Sequence, residues 1–205
     1  MPKKERRDPA GYEAKRKQIL KAATRVFAQK GYDGSRVGDI ATEAGIAYGL
    51  IYHYFDNKPA ILNAIFEGAW GVTTKVIEGI AASDASLREK LSSVAGFLLE
   101  AWKLEPNTVE VVMIEVLRSP RFMEAGKLQA YQRIFALLET ILDSHRGELR
   151  DDVEPSVAAV LFGGSLEILL TGFVARDFLR AQGFAPETTR DALIDTFLGG
   201  VTRRA

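Results

Sequence analysis

Residues 16–62 read RKQILKAATRVFAQKGYDGSRVGDIATEAGIAYGLIYHYFDNKPAIL, and this stretch decides the fold. Ile19, Ala22, Ala23, Val26 and Phe27 recur at three- and four-residue spacing, the stripe of an amphipathic helix running from Glu13 to Lys30. Gly31 closes it, glycine being the residue that ends a helix at least conformational cost. Val37, Ile40, Ala41 and Ala44 mark a second helix, stopped at Gly45, and Ala47 to Tyr54 makes a third, ended by Asp56-Asn57. Two short helices across a tight Gly45-Ile46 turn predict a helix-turn-helix. In that geometry the second helix enters the major groove of DNA while the first crosses the backbone.

The first helix supplies the scaffold, with Ile19, Ala23 and Phe27 expected against Ile40, Ala41, Ile46, Ile51 and Phe55. That leaves Ala47, Tyr48, Gly49, Tyr52 and His53 outward on the candidate recognition helix. The short Ala47 and Gly49 permit close approach to base edges. Tyr48 and His53 can donate to bases or phosphates, and Leu50 can pack on a thymine methyl group. Tyr54 is expected against the first or fourth helix rather than on DNA.

Charge agrees with a nucleic-acid end. The 205 residues hold 27 basic and 27 acidic side chains, so the net charge is zero. Residues 1–58 nevertheless carry 12 Lys/Arg against 7 Asp/Glu, while 59–205 carry 15 against 20. A basic end on an acidic body suits a polyanionic partner, although charge alone leaves a merely solvated tail open. Hydrophobic residues at 47% and charged residues at 26% are ordinary globular composition. There is no cysteine and only two histidines, His53 and His145. Disulfides, thiolate zinc sites, iron–sulfur clusters and cysteine nucleophiles drop out, and neither metal nor cofactor is expected. No Ser-His-Asp order, Gly-rich phosphate loop or His/carboxylate cluster points to an enzyme. The charged start, MPKKERRDP, has no apolar core of a secretory signal, so a cytoplasmic protein is expected, with residues 1–10 as a basic arm.

Beyond the head the pattern stays helical, and no segment sustains two-residue alternation. Asn57 with Lys58-Pro59 reads as the cap and first turn of a fourth helix reaching toward Ile80. Ser86-x-x-Glu89 is a capping box opening a fifth over about 86–105. Further helices are expected over about 107–118, 122–145 (carrying Leu128, Tyr131, Ile134, Phe135, Leu138 and Ile141), 155–182 and 186–199. The fold class is all-α: a three-helix DNA-binding head over 1–58 and a helical body over 59–205. Val157–Ala175 is 19 residues and almost wholly apolar, near the ~20 that span a bilayer. Glu167 in its middle and polar helices on both sides predict a buried helix instead, with Gly163, Gly164 and Ser165 allowing another backbone close. Glu167 must then find a partner, because an unpaired buried carboxylate is costly.

The helix ILKAATRVFAQKGY, the turn DIATEAGI and the run GLIYHYFDNKPAIL together resemble the N-terminal domain of the TetR family of bacterial transcriptional regulators. That resemblance implies roles for individual residues. Tyr52 is similar to the family's phosphate-binding tyrosine, and Lys58 to a lysine at the DNA backbone, where the helix N-terminus adds its dipole. Ser35 and Arg36 stand where relatives carry phosphate-contacting hydroxyls, Arg36 being a departure that leaves base or phosphate open. Ala47-Tyr48-Gly49-Leu50 departs from the usual Ser-Lys-Gly-Thr, which thins direct hydrogen-bond readout in favour of shape readout.

The resemblance also implies a homodimer spanning two half-sites on double-stranded operator DNA. Its last two helices would form the interface, with Phe162, Leu166, Leu169, Phe173, Leu193, Phe197 and Leu198 as candidates. Relatives enclose an apolar ligand site in the body, for which Trp70, Phe97, Trp102, Met113, Leu117, Tyr131 and Phe135 are candidates here. Residues 113–164 resemble the branch that represses fatty-acid degradation and answers long-chain acyl-CoA, with multidrug or other lipophile-responsive regulators as the alternative. The expected function is a homodimeric repressor released by a hydrophobic effector, with no membrane partner. A helical protein–protein adaptor is the reading from a different class.

Overall fold

The computed structural model describes residues 8–118, 125–174 and 185–203, with the side chains of 115–118, 125–128 and 130 also outside the description. Nine α-helices and one 3-10 turn account for the described residues, in the order α1 Pro9–Lys30, α2 Val37–Ala44, α3 Tyr48–Ile51, α4 Lys58–Ala81, α5 Leu87–Leu104, α6 Pro106–Arg118, α7 Ala125–Asp143, α8 Pro155–Val174 and α9 Pro186–Val201. The chain divides into two compact units, Met1–Gly68 and Ala69–Ala205. The division falls inside α4, because Ile61, Leu62 and Ile65 in its first turns are buried with the first unit.

The first unit owes its shape to its caps. Asp8 accepts a hydrogen bond from the Gly11 amide at 3.0 Å and Pro9 opens α1, four residues before the apolar periodicity begins. Between α2 and α3, Gly45 takes the left-handed conformation at φ 63°. Its amide donates to the Thr42 carbonyl and that of Ile46 to Ala41, closing α2 as a Schellman turn. Gln18 of α1 donates to the last carbonyl of α2, Ala44, at 2.6 Å. The α3 turn tightens: His53 and Tyr54 donate three residues back, to Leu50 and Ile51, and Phe55 four back, to Ile51. The α-helix proper is therefore four residues, and a 3-10-like turn carries the rest of the expected Ala47–Tyr54 span. Ile19, Ala23, Phe27, Ile40, Ala41, Ile51 and Phe55 are buried together as the sequence predicts, while Ile46 is half-buried. Tyr54 lies with its ring 4.7 Å from that of Tyr12 on α1.

The second unit packs α7 on α8, α5 on α9 and α6 on α8. Its main core joins Ile77, Leu91, Val94, Leu138, Ile141, Phe162, Leu166 and Ile194. A smaller cluster gathers Leu99, Leu170 and Phe173 with Trp102 and Met113. The capping box at α5 is present, Ser86 N donating to Glu89 Oε2 at 2.9 Å. Lys90, buried on α5, donates from Nζ to the Ala81 carbonyl at the end of α4. The segment GELR, residues 147–150, fastens the chain end. Leu149 bridges Thr202, Arg150 donates to the Gly200 carbonyl, and Arg203 donates to the Leu149 carbonyl.

α8 is long and apolar enough to cross a membrane by length and composition alone. Its two faces have different fates. Ala158, Ala159, Phe162, Leu166, Leu170 and Phe173 are buried, whereas Val157, Val160, Leu161 and Ile168 are exposed.

Candidate nucleic-acid interface and ligand body

The recognition segment presents the residues the sequence placed there. Ala47, Tyr48, Gly49, Tyr52 and His53 are exposed, Tyr48 at 56% and Tyr52 at 45%, while Leu50 is half-buried against the head. Tyr48 and Tyr52 lie one helical turn apart and hold each other. Their hydroxyls are 2.8 Å apart and their rings meet edge to face at 5.4 Å. The bond to Tyr48 pushes the Tyr52 phenol above its ordinary value. The Tyr52 phenol thus stays protonated at neutral pH.

Two expected phosphate contacts are used differently. Ser35 is buried, its hydroxyl donating to the Tyr32 carbonyl at 2.7 Å, so that side chain braces the α1–α2 loop instead of facing out. Lys58 donates from Nζ to the same Tyr32 carbonyl at 2.7 Å and to the Ser35 carbonyl at 3.0 Å. It also sits 4.3 Å above the Tyr32 ring. The lysine at the start of α4 is therefore a tie to that loop. The cap of α4 is Asn57, whose Oδ1 accepts from the Ala60 amide at 2.8 Å. Arg36, by contrast, is exposed beside α2.

Two basic residues of α1 are paired within the head: Arg25 with Glu43 at 3.1 Å and Lys30 with Asp39 at 2.7 Å. Exposed pairs of this kind add little individually. Asp39 has a second task, accepting the Arg36 amide at 2.8 Å to close the start of α2. The Lys30 hydrogen bond and then the Arg36 amide hold its carboxyl below the usual carboxylate range. A carboxylate lowered in the folded state stabilises above its unfolded value and loses that contribution as pH falls through the folded one. The melting temperature of the protein is thus expected to fall below about pH 4. Asp39→Asn should flatten that fall in circular-dichroism melts, and an unchanged acid profile would refute the role.

In the second unit the ligand candidates do not share one environment. Trp70 is buried, whereas Phe97, Trp102, Met113, Tyr131 and Phe135 are half-buried, and the side chain of Leu117 lies outside the described residues. Trp102 packs 5.3 Å from Phe173, and Tyr131 lies 4.9 Å from Phe135. Glu167 finds the partner its position demanded: the Tyr131 hydroxyl donates to its Oε2 at 2.8 Å. Burial pushes the Tyr131 phenol upward and the Glu167 bond adds to it, so the proton stays on the phenol.

The expected interface residues separate as well. Phe162, Leu166, Phe173 and Leu198 are buried inside the single chain, and Phe197 packs 5.0 Å from Phe162. These are core residues because they sit on the inner face of α8 and α9. The outward apolar stripe is Val157, Val160, Leu161 and Ile168, the last 70% exposed. An open groove of about 660 Å³ runs beside it, lined by Leu161, Gly164, Ser165, Ile168 and Leu169 of α8 and by Thr189, Ala192, Leu193 and Thr196 of α9. Of the seven candidates, Leu169 and Leu193 reach this groove. Residues 157, 160/161, 164 and 168 share one helical face, but on a helix apolar all round that spacing does not mark the face as the outer one. Gly163 and Gly164 meet different surroundings. A Cβ on Gly163 would meet the Phe135 ring at 2.6 Å, while one on Gly164 would meet nothing within 4 Å.

Residues 19–65 match the model of the bacterial regulatory proteins, tetR family. Over 162 residues the chain is 28% identical to the fatty acid metabolism regulator protein of Bacillus subtilis, covering 78% of this chain and 84% of that one. It is 27% identical to the transcriptional repressor KstR2 of Rhodococcus jostii, over 74% of this chain and 76% of that one. The crystal structure of Bacillus subtilis FadR in complex with stearoyl-CoA superposes with a TM-score of 0.78 at 26% identity, covering 90% of this chain and 98% of that one. With its helix-turn-helix head inside the matched span, residues 19–65 form a tetR-family DNA-binding domain, and the protein is a DNA-binding transcriptional regulator.

Proposed function

We propose that the protein is a homodimeric cytoplasmic repressor, not an enzyme, released from its operator when a long-chain acyl-CoA enters the second unit. The observation that carries this reading is the likeness over nine-tenths of the chain to a regulator solved with stearoyl-CoA. Residues 1–58 bind DNA in this account, and 59–205 bind ligand and pair with a second copy. Arg36, Ala47, Tyr48, Gly49, Leu50, Tyr52 and His53 face the operator, with Ser35 and Lys58 holding the loop that presents Arg36. Trp70, Phe97, Trp102, Met113, Leu117, Tyr131 and Phe135 contribute to the ligand site. A second reading, a regulator of multidrug type answering other lipophiles, draws on the aromatic character of those side chains.

Ligand acts through α4, a single helix whose residues belong to both compact units. Its reorientation would change the spacing of the recognition segments, coupling ligand to DNA negatively. The test is titration of the protein against the DNA upstream of its own gene, at two salt concentrations, with and without stearoyl-CoA. Affinity is expected to fall steeply with salt, because displaced counterions accompany each phosphate contact. Stearoyl-CoA should weaken binding roughly 5- to 150-fold, the range of a coupling of ~1–3 kcal/mol. Salt-sensitive binding that ignores the acyl-CoA would overturn the effector, and salt-insensitive binding would favour an adaptor.

A further inference from the structure

We propose that Glu167, Tyr131 and Thr171 form a polar anchor inside the apolar second unit, built for a lipophilic ligand whose head group donates a hydrogen bond. The inference rests on the ligand-responsive reading above in its second form, a regulator answering other lipophiles, because the thioester of an acyl-CoA has no hydrogen to donate to Glu167.

Glu167 is the one charged residue between Pro155 and Val174, and it is half-buried. Tyr131 reaches across from α7 to satisfy its Oε2 at 2.8 Å. A carboxylate has two oxygens and about four acceptor positions, so one phenol leaves it with acceptor capacity to spare.

Thr171 lies four residues further along α8, on the same helical face as Glu167. Its hydroxyl is buried and has no hydrogen-bond partner among the described residues. A helical hydroxyl normally has an easy solution, which is to donate to the carbonyl four residues back. Thr24, Thr42, Thr73, Thr140, Ser165 and Thr202 all do so, at 2.7 to 3.0 Å. Thr171 forgoes that bond, and among the described residues its hydroxyl is the one buried side-chain oxygen without a partner. A buried polar atom left unmade is costly, and a group that a ligand completes is the physical form of such a cost.

The neighbouring residues are apolar: Leu170 and Phe173 beside Thr171 on α8 cluster with Leu99, Trp102 and Met113. A carboxylate and a hydroxyl in such surroundings select by charge as well as by hydrogen bonding. A neutral alcohol or amide, or an ammonium group, can donate to Glu167. A ligand carboxylate cannot, and it meets a like charge in a medium that screens weakly.

The full-length protein would be titrated with dodecanol, dodecylammonium and dodecanoate, three probes of one chain length, following tryptophan fluorescence. Wild type is expected to bind the first two at least about tenfold more tightly than dodecanoate, the scale of one charge-assisted hydrogen bond. Glu167→Gln should bring dodecanoate to within about threefold of dodecanol and weaken dodecylammonium. Thr171→Val should weaken dodecanol about fivefold, a neutral hydrogen bond's worth. Equal affinity of wild type for dodecanoate and dodecanol would overturn the anchor without any variant having to fold. So would an unchanged preference in a folded Glu167→Gln protein. If none of the three binds while stearoyl-CoA still releases the operator, the anchor fails and the acyl-CoA reading stands. If stearoyl-CoA has no effect either, both fail.

Discussion

Gly49→Leu is expected to leave the protein fully folded and to weaken operator binding at least about 100-fold. A Cβ at Gly49 would meet nothing within 4 Å, and its backbone does not have the positive φ found at Gly31 and Gly45. Nothing in the free head therefore requires glycine there. Leucine even gains roughly 0.5–1 kcal/mol of helix propensity over it. Under the proposed function the reason for glycine is external: it is an exposed position on α3 between Tyr48 and Tyr52, where a side chain would hold the backbone away from the base edges. Losing even one good base contact costs about 1–3 kcal/mol. Two heads of a dimer incur that cost twice, which gives the 100-fold figure or more. Fluorescence anisotropy at fixed salt, alongside a melting curve, checks it. Gly49→Ala should fall between the two, and full-strength binding by Gly49→Leu would show that α3 does not face the groove.

The adjacent glycines of α8 should give opposite results. Gly163→Val places new carbon atoms against the Phe135 ring and Leu138, which already stand 2.6 and 3.2 Å from an ideal Cβ. Overpacking of a core at this level costs about 3 kcal/mol. For a unit of this size that is a drop of about 10 °C in melting temperature. Gly164→Arg meets open space and should melt as a folded chain. It introduces a charge into the groove between α8 and α9, however, and should make the protein monomeric in sedimentation at micromolar concentration. Operator affinity should fall with it, because a single head holds only half the contacts. A dimeric, tightly binding Gly164→Arg protein would move the interface elsewhere.

What could be read in advance follows from how local each cause is. Caps and stops are written in one or two residues, so Gly31, Gly45, Asn57 and the Ser86–Glu89 box could be placed before any coordinates. The early start of α1 is equally local, written in Asp8-Pro9, but its first turns carry no apolar stripe to reveal a helix. Ser35 and Lys58 illustrate the opposite case. A hydroxyl and an ammonium in a basic head look like phosphate contacts in one dimension. Their use as ties to the Tyr32 and Ser35 carbonyls depends on how the loop folds back, which no spacing encodes. α8 failed for a third reason: apolar on every side, it offers no periodicity to tell its inner face from its outer one. Only Glu167 broke the degeneracy, and it marked an inner position, beside Tyr131.

The exposed stripe of α8 also sets a condition on the protein's lifetime. If a second copy packs on this stripe, a newly made subunit carries Val157, Val160, Leu161 and Ile168 uncovered until the two meet, and that encounter is second order in concentration. Diluting the pure protein should lower its melting temperature, since dissociation removes the contribution of pairing. In a cell holding few copies the same arithmetic lengthens the solitary phase, when quality-control proteases compete for the chain. Abundance and half-life would then rise together, so that a repressor acting on its own gene would be adjusting how long each molecule survives as well as how many are made.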